Sequence, residues 1–345
     1  MTKIAYIGAL DMAATSRHRA EALKRIGCEV IALDPFESLT QNMGIWPTRF
    51  HYHTGYQFIQ SKALEWCTRE IDKLKSVDAI WIDSGELFGP LCIRALKAIG
   101  APLILFNHDD PTGPRDGNRF ISLRAAIPLY DMCSVCRTEG ESEFRLLGAK
   151  AVYRFTRGYD EIEHAPFADA SAIPIEMRSD VAFIGTWMRN EHRDSFIYNL
   201  IRAGVSVSIW GGRWEKSRIW GDLSPHWRGP AISGRDYVSA IQGAQISLGL
   251  LSKGNRDLHT TRSVEIPFAG GLLCAERTSE HLQMYKEGEE AIFWEDEREC
   301  IEKCKQLLGD DSLRERIRSN GRHRVVQLKV GNEDICRSIL ERTIK

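Results

Sequence analysis

The sequence predicts an α/β protein made of two tandem doubly wound domains. Three observations carry that expectation. The chain has 345 residues, and a domain usually takes about 100–200. A strand–helix rhythm runs through the first half and restarts near Val181. Between the two runs, residues 158–177 hold Pro166, Pro174 and an alanine-rich stretch with little periodicity, which reads as a linker. Alternating strands and helices imply parallel sheets covered on both faces. Ligands of such sheets bind outside the carboxyl ends of the strands, so two such domains are expected to face each other across a cleft.

In the first half, residues 3–8 form a short apolar strand. Residues 16–26 carry helical spacing through Ala20, Leu23 and Ile26 and stop at Gly27, with Ser16 as the expected N-cap. Residues 29–33 make a strand that ends at Asp34-Pro35. A helix over 57–74, a strand over 79–82, a helix over 90–99 and a strand over 102–106 follow, then strands at 131–135 and 151–155. In the second half, strands are expected at 181–184, 205–210, 246–250, 272–275 and 291–294. Helices are expected at 193–203, 236–242, 261–269, 279–286, 297–308, 312–328 and 333–343.

Composition excludes several classes. Lys plus Arg total 46 against 47 Asp plus Glu, a formal net charge of −1, so no basic excess exists to neutralise a nucleic-acid backbone. No apolar run approaches the ~20 residues that span a bilayer. The N-terminal apolar stretch is too short for a signal peptide and is broken by Asp11. A cytoplasmic protein is expected, with peripheral contact at the inner face of the membrane left open. The nine cysteines are then expected to stay thiols. Cys133 and Cys136 lie at a strand rather than a helix start, unlike a redox CxxC. Cys300 and Cys304 lie one helical turn apart with no second pair to complete a zinc site. No metal site is expected.

The strand-end loops hold the candidate chemistry. Gly8 to Ser16 has neither the G-x-G-x-x-G nor the GxxxxGK[ST] spacing, which argues against a nicotinamide enzyme or a P-loop. Asn107-His108-Asp109-Asp110-Pro111 crowds acid/base types at one strand end, though Asp-Asp-Pro also makes a good turn. Arg115, Arg119 and Arg124 follow it, either as a solvated helix face or as contacts to an anionic acceptor. Gly185, Arg189 and Arg193 lie between a strand and a helix N-terminus, where a diphosphate could bind. Gly211, Gly212 and Arg213 repeat that arrangement, and Trp214 reads as a base-stacking ring or a surface turn residue. In the densest segment, Asp257 in a loop precedes Glu265 in a helix that Gly270-Gly271 ends. Two carboxylates so placed could bracket a sugar nucleotide.

The block Thr261-Arg262-Ser263-Val264-Glu265-Ile266-Pro267-Phe268-Ala269-Gly270-Gly271-Leu272-Leu273 resembles the nucleotide-sugar domain of GT-B glycosyltransferases of the family 1 type. It is most similar to the spore-maturation CgeB-like branch. Glu276-Arg277-Thr278, Glu287-Gly288-Glu289-Glu290-Ala291, the 107–111 segment and Gly158-Tyr159-Asp160…His164-Ala165-Pro166 also resemble that branch. The resemblance implies a GT-B fold with an acceptor-side domain at 1–165, a nucleotide-sugar domain at 178–328, and a closing segment at 329–345 that returns to the first domain. It implies a UDP- or GDP-type donor, a glycan or other hydroxyl acceptor, and no required cofactor. Carried over residue by residue, Glu265 grips the ribose and Arg189 or Arg193 meets the diphosphate, with Arg262 as a further cation. His108 matches the position of a His that lies near the donor sugar in relatives; of His108 and Asp109, one is expected to contact that sugar or deprotonate the acceptor. Relatives show E-x7-E; this chain has D-x7-E, which leaves the role of Asp257 open. Two other readings remain: a non-catalytic nucleotide-sugar-binding or partner subunit, and a sugar-nucleotide epimerase.

Overall fold

The computed structural model describes residues 1–12 and 14–344; Ala13 of the first loop and Lys345 lie outside them. The chain forms two compact units. One holds Met1–Thr156, Gly254–Arg256 and the chain from Asn332 on; the other holds Arg157–Lys253 and Asp257–Gly331.

The first unit is built on a parallel sheet of β1 (Lys3–Ile7), β2 (Glu29–Leu33), β3 (Ala79–Asp83), β4 (Leu103–Asn107), β5 (Met132–Val135) and β6 (Val152–Arg154), ordered β2-β1-β3-β4-β5-β6. Helices cover both faces, so the central strands are apolar through their middles, β3 from Ala79 to Ile82 and β4 from Leu103 to Phe106. Alternate side chains feed two separate cores. Ala5, Ile7, Ile80, Ile82, Leu103 and Leu105 enter one, and Ile4, Tyr6, Trp81, Ile104 and Phe106 enter the other. Ile335, Cys336, Ile339 and Leu340 of the last helix, Asn332–Thr343, complete the second core.

The second unit repeats the plan with β7 (Ser179–Ile184), β8 (Val207–Trp210), β9 (Trp227–Gly229), β10 (Ala244–Gly249), β11 (Leu273–Glu276) and β12 (Ile292–Trp294). Its order, β12-β11-β10-β7-β8-β9, is all parallel and is the 3-2-1-4-5-6 Rossmann arrangement. The strand order reverses between β7 and β10, and in the first unit between β1 and β3. A ligand crevice belongs at each of those points.

Several expectations change. The 158–177 segment is no loose linker. Tyr159 stacks on Phe268 at 3.7 Å between ring centroids, Phe167 exchanges two backbone hydrogen bonds with the Gln242 amide, and Asp160 is fully buried. The first helix is Thr15–Arg25, with Ala14 at the N-cap and no side-chain cap. Ser16 instead accompanies the buried Tyr6 hydroxyl, 3.0 Å away. Two short helices not expected from the sequence, Pro35–Leu39 and Ile45–His53, lie between β2 and the helix Gln60–Glu70. Asp34 caps the former through the Phe36 and Glu37 amides; the latter buries no residue, so it had no inward apolar stripe to betray it. The edge strand β9 is three residues long with two exposed.

One buried ion pair pins the first sheet to its first helix. Arg19 donates twice to Asp83, at 2.6 and 3.0 Å, and Tyr6 donates to the same carboxylate at 2.6 Å. Burial, and then the Asp83 charge, push the Tyr6 phenol well above its ordinary pKa. Breaking a buried pair costs about 3–5 kcal/mol because the survivor stays uncompensated. Asp83→Asn is therefore expected to lower unfolding stability by roughly that amount in urea titrations. Tyr6→Phe, which keeps the pair, should lose only about 1 kcal/mol.

Candidate functional site

At the switch point of the second sheet, the loops after β7 and β10 are tied together by two side chains. Arg193 donates to the carbonyls of Thr186 at 3.0 Å and Leu251 at 3.3 Å, and Glu191 accepts from the Ser252 hydroxyl and the Lys253 amide. Arg193 thus braces the site's walls, whereas Arg189 is exposed. Gly211 is a glycine for a structural reason. A Cβ there would lie 2.0 Å from the Gly185 carbonyl oxygen, where the two loops cross. Gly212 has open space at the same point, and Arg213 is exposed in a left-handed conformation. Trp214 is fully buried, donates to the Gly185 carbonyl at 2.9 Å, and meets the edge of Phe183. It neither stacks on a ligand base nor sits on the surface, correcting both readings from sequence; its apolar ring fills the core beneath the loop.

The helix Arg262–Phe268 presents Glu265, and the chain leaves it through Gly270 at φ +81°. Its first turn is nailed down. His281 Nδ1 lies 2.6 Å from the Glu276 carbonyl, which can only accept, so Nδ1 carries the proton. Nε2 then accepts from the Ser263 hydroxyl at 2.7 Å, and Tyr285 donates to the Ser263 carbonyl. Glu265 is 4% exposed. Its Oε2 accepts from Tyr237 at 2.6 Å and Arg262 at 2.7 Å, while its Oε1 has His164 Nε2 at 3.8 Å, outside hydrogen-bonding range. Burial alone would raise the Glu265 carboxyl. The Arg262 charge, His164 and the Tyr237 hydroxyl outweigh it and hold the pKa below the usual carboxylate value.

Asp257 belongs to a different network. Arg157 donates to it at 2.9 Å, and both side chains are buried. The Arg157 amide donates to His259 Nε2 at 3.0 Å, so His259 is protonated on Nδ1, which donates to Glu280. Burial keeps that imidazole below its ordinary pKa, with Glu280 opposing. The two carboxylates expected to bracket one ligand therefore each hold their own cation.

In the first unit, a cavity of about 330 Å³ opens at the β1/β3 switch point, lined by Thr15, Ser16, Ser84, Glu86, His108 and Asp109 among others. Ser84 sits at φ +68°, a conformation that costs a non-glycine residue about 1–3 kcal/mol. Glu86 is buried, which raises its carboxyl pKa against the pull of Arg119. Arg119 is committed to Glu86 at 2.6 Å, Asp116 at 3.4 Å and Asp109 at 3.6 Å, and lies against the Tyr52 and Phe120 rings. It has no charge to spare for an anionic acceptor, contrary to one expectation above. Asp110 is spent on a bidentate pair with Arg256, at 2.6 and 2.9 Å, and His108 keeps its place with its ring edge to Phe106.

Tyr237, Arg157, His164 and Arg256 pair with candidate residues and were not themselves candidates. Gly158 to Pro166 already held His164, and Arg256 stands beside Asp257 in the densest segment; nothing local marked the other two. Among the described residues, Cys274, Cys300 and Cys304 bring their thiols within 4.8 Å of one another. Cys274 thus joins the pair that sequence spacing had left without a partner. The three sit in the apolar core of the second unit, one ligand short of the usual four of a structural zinc site.

Comparison with known proteins sharpens the assignment. A family model described as glycosyl transferase-like matches residues 191–329. Sucrose-phosphate synthase from Thermosynechococcus elongatus superposes with a TM-score of 0.69 at 14% identity, covering 99% of this chain and 98% of that one. Anabaena HepE in complex with UDP-glucose gives 0.69 at 12%, covering 99% of both chains. An α,α-trehalose-phosphate synthase (UDP-forming) from Burkholderia vietnamiensis gives 0.63 at 12%, covering 99% and 100%. The fold is GT-B. Curated proteins returned no match to the sequence. Among the described residues, no helix is long and apolar enough to cross a membrane.

The His281 clamp has a pH signature. Burial lowers its pKa to about 4 from an unfolded value of about 6.5. Its contribution is whole above the unfolded pKa and is lost as pH falls towards the folded one. The loss is ~3 kcal/mol in full, with about 2 gone by pH 5. Urea unfolding near pH 7 and pH 5 should show His281→Asn with a smaller stability difference between the two than the parent, whatever its baseline.

Proposed function

We propose that the protein is a glycosyltransferase that moves a sugar from a UDP-type nucleotide donor to a hydroxyl acceptor. The observation that carries this reading is Glu265, a buried carboxylate beside the switch point of a Rossmann sheet with one oxygen saturated and the other not. Oε1 would accept from a ribose hydroxyl, while Tyr237 and Arg262 hold the group ionised and aimed. Support comes from the glycosyl transferase-like match over the same residues and from the fold shared with HepE, solved with UDP-glucose. Within the fold, the Arg-Ser-Val-Glu block favours the CgeB-like branch.

The roles follow from what each group has left to give. Arg189, Arg213 and the amides around Gly185 and Gly212 would stabilise the departing diphosphate, because charge developing on a leaving group is met best by donors already in place. Arg193 and Asp257 are positioning residues, the first bracing two loops and the second bound to Arg157. The acceptor oxygen would bond to the anomeric carbon as the bond to the diphosphate oxygen breaks. His108 or Asp109 would take the hydroxyl proton. No metal is written into the step: Asp109 meets Arg119 and Asp110 is paired with Arg256.

Calorimetric titration with UDP tests the donor half. Hydrogen bonds to a charged group contribute about 1.5–3 kcal/mol each, so Glu265→Ala should weaken UDP binding ten-fold or more, and Glu265→Gln less. Apo stability should also fall in the alanine variant, since Tyr237 and Arg262 lose their acceptor. Unchanged affinity in a folded variant would remove Glu265 from the donor site. Diphosphate-release assays test the other half: of His108→Ala and Asp109→Asn, the variant at the residue that takes the proton should cut turnover by about 10²–10⁴-fold, leaving UDP affinity intact.

A further inference from the structure

The helix Ile45–His53 is mounted on the first unit with its outer face bare. Its inner side is anchored. Met43 and Tyr52 pack on the apolar core, Arg119 lies over the Tyr52 ring at 4.7 Å, and Tyr56 and Ile59 are buried just beyond. Gly55 and Tyr56 both take left-handed conformations, and a Cβ on Gly55 would fall 2.3 Å from the Asn118 carbonyl. That sharp reversal brings Phe58 back beside Phe50, with ring centroids 5.4 Å apart.

What faces outward is large and apolar. Ile45 is 84% exposed, Trp46 77%, Phe50 53% and Phe58 67%. Positions 45, 46, 49, 50 and 53 lie on one face of a helix by their spacing, and Arg49 and His53 are the exposed polar members of that face. Between Glu37 and Glu65 the sequence has no acidic residue, yet it carries Arg49, Lys62, His51 and His53. In a chain of net charge −1, that segment is basic and aromatic-rich; the acidic Glu86, Asp109 and Asp116 lie on the inner side of the helix, near Tyr52, where Arg119 pairs with them.

We propose that this face is a membrane-docking surface that inserts Trp46, Ile45, Phe50 and Phe58 into the headgroup region of an anionic lipid bilayer. Two features select that partner. Interfacial helices combine bulky apolar side chains with cations, and tryptophan prefers the headgroup level. Stable binding to a membrane surface needs both an apolar and an electrostatic contribution, and the acid-free stretch supplies the second. A second copy of the chain fits less well, because a stable protein–protein interface uses about 20–30 residues on each side and this patch is one short helix and the turn after it.

The test is flotation of the full chain with vesicles of phosphatidylcholine alone or mixed with phosphatidylglycerol, at low and high salt. The expected result is binding to the mixed vesicles only, weakened by salt. Trp46→Ser/Phe50→Ser/Phe58→Ser should reduce that binding ten-fold or more with an unchanged melting temperature, since all three side chains are solvent-exposed. Arg49→Glu should reduce it separately. Failure of the wild-type chain to float with anionic vesicles overturns the proposal, as does equal flotation of the triple variant. A dimer on size exclusion that the triple variant dissociates would assign the face to self-association and overturn it too. None of these readouts depends on glycosyl transfer, so they stand apart from the UDP-binding tests.

Discussion

Burying both faces of a parallel sheet leaves a chain's polar chemistry few places to go. Each unit meets this constraint with strands whose alternate residues enter opposite cores, so neither face can carry a functional side chain without cost. Polar and charged groups are displaced to the carboxyl ends of the strands. There they concentrate at the points where strand order reverses and neighbouring loops part. Arg19 and Asp83, His108 and Asp109, Gly185 and Arg193 all occupy such positions. The location of chemistry here is thus a consequence of hydrophobic burial.

Burial at those strand ends makes every charge answer for a partner. Asp257 has Arg157, Asp110 has Arg256, Glu86 has Arg119, and Glu265 has Arg262 with Tyr237. An unpaired charge so placed would cost several kcal/mol, so most of these pairs do no more than neutralise. Glu265 differs because its partners converge on one oxygen. The two Tyr237 and Arg262 bonds fix the carboxylate plane and leave its second oxygen facing an imidazole too distant to bond.

Most strands were legible in the sequence because a strand buried on both faces is an unbroken apolar run; residues 79–82, 103–106 and 181–184 show it plainly. The helix that carries Glu265 was legible from its block of neighbours, and its partner Arg262 lay in that block. Tyr237, 28 residues from Glu265, and Arg157, 100 residues from its partner Asp257, were not, because such separations leave no spacing signal. Trp214 was misread because an indole beside two glycines looks the same whether it caps a ligand or plugs a core. The helix Ile45–His53 escaped because apolar periodicity finds faces that turn inward, and its face turns out.

The first unit is discontinuous, and this orders events during synthesis. Its second core packs Ile4, Tyr6, Trp81 and Phe106 from the opening sheet with Ile335, Ile339 and Leu340 from the final helix. A ribosome emits the first six strands long before that helix, whereas the second unit is nearly continuous and needs only its own residues. The half that is made first therefore waits, with part of one face of its sheet uncovered, until that helix has been made. Such long-range closure slows folding and prolongs exposure of apolar surface. A chain lacking the helix Asn332–Thr343 would carry an intact second unit beside a first one that chaperones and proteases can still recognise as unfinished.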